Sequence, residues 1–89
     1  MLYRFYVGSN NKTKKLEYPK AVKIASTQFE GLTAFKGLGY WQGKPERMAI
    51  IEVETTNGQR VRRLAHTLAV QLHQQAVGLA IVGSMQFIK

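Results

Sequence analysis

Tyr40, Trp41, Gln42, Lys44, Glu46 and Arg47 fall within one short stretch, and their types suit a ligand rim. Tyr40 or Trp41 can stack on a base. Lys44 and Arg47 can neutralise a phosphate or a carboxylate. Glu46 can act as a base, or accept from an amine or a ribose hydroxyl. Gly37 and Gly39 suggest a bulge, or a close approach to the backbone by a ligand or a neighbour. The reading without a ligand is that Trp41 packs on a neighbouring subunit and Lys44–Arg47 is an ordinary turn.

Basic residues gather in two other places. Lys12, Lys14, Lys15, Lys20 and Lys23 follow the turn Ser9-Asn10-Asn11-Lys12. With Tyr3, Phe5 and Phe35 as stacking faces they would suit RNA or DNA, although the RNA-binding Lys/Arg-Gly-Phe motif is absent. Arg60, Arg62 and Arg63 form the second group, as phosphate contacts or as a solvated face. His66 and His73 stand seven apart, a spacing that does not favour zinc.

What is missing prunes the chemistry. There is no cysteine, and thirteen Lys and Arg face five acidic residues, all of them glutamate. A Ser-His-Asp triad, a paired-Asp metal site and a Cys-His dyad are excluded. No Walker A motif is present. The sequence calls for neither a metal nor a cofactor. A net charge of +8 on 89 residues favours an anionic partner: nucleic acid, nucleotide phosphate or an acidic protein.

The elements that must position these residues follow from hydrophobic spacing. Leu2–Gly8 alternates as a strand. Lys14–Phe29 reads as a helix that starts in earnest near Tyr18, because Pro19 fits only the first turn. Its stripe is Tyr18, Ala21, Val22, Ala25 and Phe29, and Gly31 stops it. Leu32–Trp41 is a second strand, Gln42–Arg47 a loop, and Met48–Thr55 a third strand with Ala49, Ile51 and Val53 inward. Thr56 and Gln59 fit a capping box opening a second helix, whose stripe is Val61, Leu64, Ala65, Leu68 and Leu72. Val77–Ile88 is a last strand, apolar on both faces from Leu79 to Val82, which predicts a central position or cover by another subunit. The order β-α-β-β-α-β predicts one α+β domain over residues 1–89: a ferredoxin-like, four-stranded antiparallel sheet with two helices on one face. No apolar run is long enough to span a membrane, and the start does not read as a signal peptide. The expected location is the cytoplasm.

Several of these stretches resemble known families. Tyr40-Trp41-Gln42-Gly43-Lys44 and the strand Ala49–Thr55 are similar to the strand-loop-strand of CutA proteins, with Gln42 where that family carries an acid. Val7-Gly8 and the Gly-Leu-Thr second strand resemble the wider PII-like group. Phe29-Glu30-Gly31-Leu32-Thr33, Gly37, Gly39, Trp41 and Gln74-Gln75-Ala76-Val77 resemble an uncharacterised family of small bacterial proteins. Gly39-Tyr40, Arg63-Leu64-Ala65 and Gln75–Val82 are similar to phage S-adenosylmethionine lyases, which would make Tyr40 and Glu46 catalytic. These resemblances imply ferredoxin-like subunits, commonly trimers, with ligand clefts between them. A homo-oligomer, trimeric by this likeness, is therefore expected. Its cleft would hold an anionic small molecule or nucleotide signal at Gly8, Ser9, Asn10, Asn11, Lys12, Tyr40, Trp41, Gln42, Lys44, Arg47, Gln74 and Gln75. A phage origin would suit a sponge that sequesters a host nucleotide in the host cytoplasm.

Overall fold

The computed structural model describes residues 1–75 and 77–83, and Trp41 by its backbone alone. The chain runs β1 (Leu2–Val7), α1 (Tyr18–Gln28), β2 (Thr33–Trp41), β3 (Lys44–Glu54), α2 (Gly58–Gln71) and β4 (Gly78–Gly83). The strands form one antiparallel sheet in the order β2-β3-β1-β4. This is the expected ferredoxin-like arrangement.

Strand alternation divides the side chains between two faces. Phe5 lies opposite Ile51, Val7 opposite Ala49 and Tyr3 opposite Val53. These residues meet Ala21, Ile24 and Ala25 of α1 and Val61, Leu64 and Leu68 of α2 in the core. Ile24 is buried while Val22 is only half-buried, so the stripe of α1 is rotated from the one its spacing suggested. Helix α1 ends at Phe29, whose backbone is extended and whose ring is buried, two residues before Gly31.

Helix α2 begins one residue later than the capping box predicts. Asn57 accepts from the backbone N–H of Arg60 at 3.1 Å, and Thr55 Oγ1 accepts from the N–H of Asn57 at 3.1 Å. Asn57 takes over because asparagine is a stronger N-cap than threonine.

Two strands depart from expectation. Lys44–Arg47 is not a loop but the first part of β3. Strand β4 is not central: it forms an edge beside β1, with Leu79, Ile81 and Val82 exposed. Its register slips between Ile81, opposite Tyr3, and Gly83, opposite Leu2, so Val82 has no ladder partner. The extension of this strand through residues 84–88 lies outside the described residues.

Among the described residues the opposite face of the sheet carries no helix. Arg4 bridges it, donating from Nε to Glu52 at 2.7 Å and from Nη1 to the Tyr6 hydroxyl at 3.3 Å. Tyr6 and Glu52 together raise the pKa of the Arg4 guanidinium by hydrogen bonding to its charged form.

Candidate anion-binding groove

The segment from Gly8 to Glu17 is organised by one buried amide. Asn10 is 3% exposed. Its Oδ1 accepts from the N–H groups of Lys12 at 2.8 Å and Thr13 at 3.2 Å. Its Nδ2 donates to Glu17 Oε1 at 2.6 Å. Its backbone N–H donates to Lys15 O, and its carbonyl accepts from Lys14 N–H. Every polar group of Asn10 is thus engaged inside the loop, so it shapes a site and leaves the binding to its neighbours. The loop closes by forcing Lys14 into the left-handed region at φ 62°. That conformation costs about 1–2 kcal/mol in a residue with a Cβ. Lys14 and Lys15 are displayed on the outside of this braced loop.

The facing wall is a hairpin arm. Gln42 and Gly43 both have positive φ, at 51° and 77°. A two-residue turn of that kind matches the twist of the strands it joins. Pairing resumes at once, with Trp41 opposite Lys44, Tyr40 opposite Pro45 and Gly39 opposite Glu46. This tight turn is why the expected loop vanishes. The ladder of β2 and β3 is unbroken, so Gly37 and Gly39 mark no bulge. A Cβ on Gly37 would stand 3.1 Å from Ile50 Cγ1, and one on Gly39 2.8 Å from Met48 Cε. The close approach to this backbone is by side chains of the neighbouring strand.

Between loop and arm runs a groove of about 980 Å³. Lys14 and Lys15 line it from the loop, Lys36 and Arg47 from the arm, and Tyr18, Pro19, Leu38 and Pro45 supply apolar surface. Among the described residues Glu46 is the one acidic residue in its lining, which also includes Ser9. Four cations against one anion make this a cradle for negative charge. The Lys36 ammonium sits 5.4 Å from the centroid of the Tyr18 ring, which marks that ring as a surface for flat or cationic groups.

The groove joins segments that the sequence suggested separately: Ser9 from the first turn, Arg47 and Glu46 from the arm. It also recruits Lys36 and Pro45, which spacing alone did not single out, and Tyr18, which spacing assigned to the buried stripe of α1. Lys36 is found only through register, because its position opposite Ala49 puts it on the helix side of the arm. Gln42 and Lys44 are exposed at the arm's tip, and the Trp41 side chain lies outside the described residues. Asn11 is tied by its backbone to His73 O at 3.3 Å, and Lys12 is exposed beside the groove rather than in it. Gln74 reaches back to Ser9, donating from Nε2 to its carbonyl at 2.6 Å, while Gln75 is exposed.

Tyr40 and Glu46 do not converge. Tyr40 belongs to the helix-side face of the arm with Leu38 and is 69% exposed, whereas Glu46 alternates with Met48 and Ile50 on the other face. Of the aromatic residues considered for stacking, Phe5 is core and Tyr3 shares its face, so only Phe35 is on the open side. The Arg60 guanidinium lies 4.7 Å over the Phe29 ring, which gives it a structural partner. His73 falls beyond the end of α2, at φ 52°, and so does not share a helical face with His66.

Among the described residues no helix is long and apolar enough to cross a membrane. The chain matches no protein-family model, and no curated protein is significantly similar to it.

Proposed function

We propose that this protein binds an anionic small molecule, a nucleotide above all, in the groove between the Ser9–Lys15 loop and the hairpin arm. The observation that carries this reading is the meeting of Lys14, Lys15, Lys36 and Arg47 around apolar surface that includes Tyr18. Cations from two separate walls suit the several oxygens of a phosphate chain, and an aromatic ring beside them suits a base. The function is binding rather than turnover. An S-adenosylmethionine lyase with Tyr40 and Glu46 at a site between subunits is the alternative, and within one subunit the two lie on opposite faces of the arm. A cationic substrate also suits a chain of net charge +8 poorly.

The working form in this proposal is a cytoplasmic homo-oligomer, a trimer by likeness to PII-like proteins, in which a second subunit covers part of the open groove. In a phage setting the same chemistry would serve to sequester a host signalling nucleotide. RNA or DNA binding through Lys12–Lys23 is the competing use of the charge.

A thermal-shift panel of nucleoside mono-, di- and triphosphates tests the reading. The expected result is stabilisation that grows with phosphate count and disappears in Lys15→Glu/Arg47→Glu. No shift and no calorimetric heat with any nucleotide would refute it. Native mass spectrometry of undenatured protein reads the subunit count and any co-purified mass.

A further inference from the structure

Gly8, at the end of β1, has two acceptor oxygens gathered over its bare Cα. A Cβ built there would stand 3.2 Å from Glu46 Oε1 and 3.4 Å from Gln74 Oε1. The three residues come from β1, β3 and the segment after α2, so this meeting is a product of the tertiary fold. The Gln74 amide is fixed in orientation, because its Nε2 already donates to Ser9 O at 2.6 Å and to Leu72 O at 3.3 Å. Its Oε1 is left to accept. Glu46 has no hydrogen bond or ion pair among the described residues, although the chain carries thirteen cations. The Glu46 side chain is exposed and, by strand alternation, lies on the face of the arm opposite Lys36 and Arg47.

A carboxylate oxygen and an amide oxygen that both approach one point over Gly8 form a purely accepting pair. Such a pair recognises two adjacent hydroxyl donors. Ser9 and Glu46 line the cationic groove as well, so the accepting pair stands at its edge, across the open margin of β3 from Lys36 and Arg47. We infer that Glu46 and Gln74 receive the vicinal hydroxyls of a ribose, so that the groove selects ribonucleotides over their deoxy counterparts. This inference rests on the nucleotide reading of the groove and names the sugar that it takes. Gly8 is required because any side chain there would occupy the position of the sugar edge.

Calorimetric titration of the intact protein with ADP, 2′,3′-dideoxy-ADP and inorganic diphosphate tests it. ADP is expected to bind at least ~10-fold more tightly than the dideoxy analogue, since a hydrogen bond to a charged acceptor is worth roughly a factor of ten or more. Glu46→Gln, which keeps the shape of the side chain, should remove most of that preference while leaving diphosphate affinity within about twofold. Gly8→Ala should do the same, with circular dichroism confirming the fold of both variants. Equal affinity for ADP and its dideoxy analogue, with both lost in Lys15→Glu/Arg47→Glu, would overturn the ribose assignment and leave the groove standing. Heat from diphosphate alone would likewise overturn it. Absence of heat from all three would overturn the groove reading with it.

Discussion

Asn10 and Glu17, seven residues apart, are joined by a 2.6 Å hydrogen bond from Nδ2 to Oε1 that braces the whole loop between β1 and α1. The same Asn10 side chain holds two backbone N–H groups on its other atom. Glu17 is the N-cap residue of α1, and it also reaches Thr13 Oγ1 at 3.5 Å and Lys20 at 3.7 Å. These contacts brace the loop without any ligand, which lowers the ordering cost of binding.

Asn10→Ala removes a buried amide and strands the two N–H groups it served. The expected cost is about 1–3 kcal/mol. Urea denaturation should show a lower midpoint with an unchanged slope, and the affinity for ADP should fall because Lys14 and Lys15 lose their fixed positions. A midpoint equal to that of the parent protein would mean the loop is held by something else.

Lys14 offers a trade between stability and binding. Its φ of 62° favours glycine. Lys14→Gly relieves a strain of about 1 kcal/mol, against a somewhat larger unfolded-state entropy. The melting temperature should stay level or rise, while nucleotide affinity drops by severalfold. A variant that melts clearly lower would contradict the strain argument.

Gly37 and Gly39 differ in what lies above them. At Gly39 the obstacle is the flexible end of Met48, which can swing aside; at Gly37 it is Cγ1 of Ile50, a branched side chain 5% exposed. Gly39→Ala should be close to neutral, since alanine recovers roughly 0.5–1 kcal/mol of backbone entropy. Gly37→Ala should be the less stable of the two by about 1 kcal/mol. Paired thermal melts decide this, and the reverse order would refute it.

Leu64 is fully buried at the centre of the helix-sheet core. Leu64→Ala should cost about 2–5 kcal/mol. In a domain of this length that lowers the melting temperature by ~10 °C or more, as scanning calorimetry would read. A drop of only a degree or two would mean that the two layers repack around the lost volume.

The architecture was legible in the sequence because it rests on periodicity. Val61, Leu64, Leu68 and Leu72 repeat at helical spacing and all are buried, and the alternation of Ala49, Ile51 and Val53 gives the inner face of β3. The groove was only half legible. Ser9, Glu46 and Arg47 stand in segments whose composition suggests a ligand. Tyr18 and Lys36 join them by pairing and packing across the chain, which local spacing does not encode. The hairpin was misread for a physical reason: Gln42 is not a usual occupant of a positive-φ turn position, and Pro45 and Glu46 look like loop residues. Pro45 is tolerated because it sits near the strand's beginning, beyond the reach of β1, whose pairing starts at Ala49. The β4 edge was hidden too, since an apolar run does not reveal which neighbours a strand has.

The register slip at Val82 bears on how this protein survives at high concentration. A straight apolar edge invites other chains to add to it, and such addition seeds fibrils. Among the described residues the ladder between β4 and β1 keeps one register from Gly78 to Ile81, and then Val82 is skipped so that Gly83, at φ 129°, stands opposite Leu2. A skipped residue interrupts the straight edge that a growing strand would copy. Straightening it, by deleting Val82 for instance, should make the domain cloud at lower concentration, as light scattering would read.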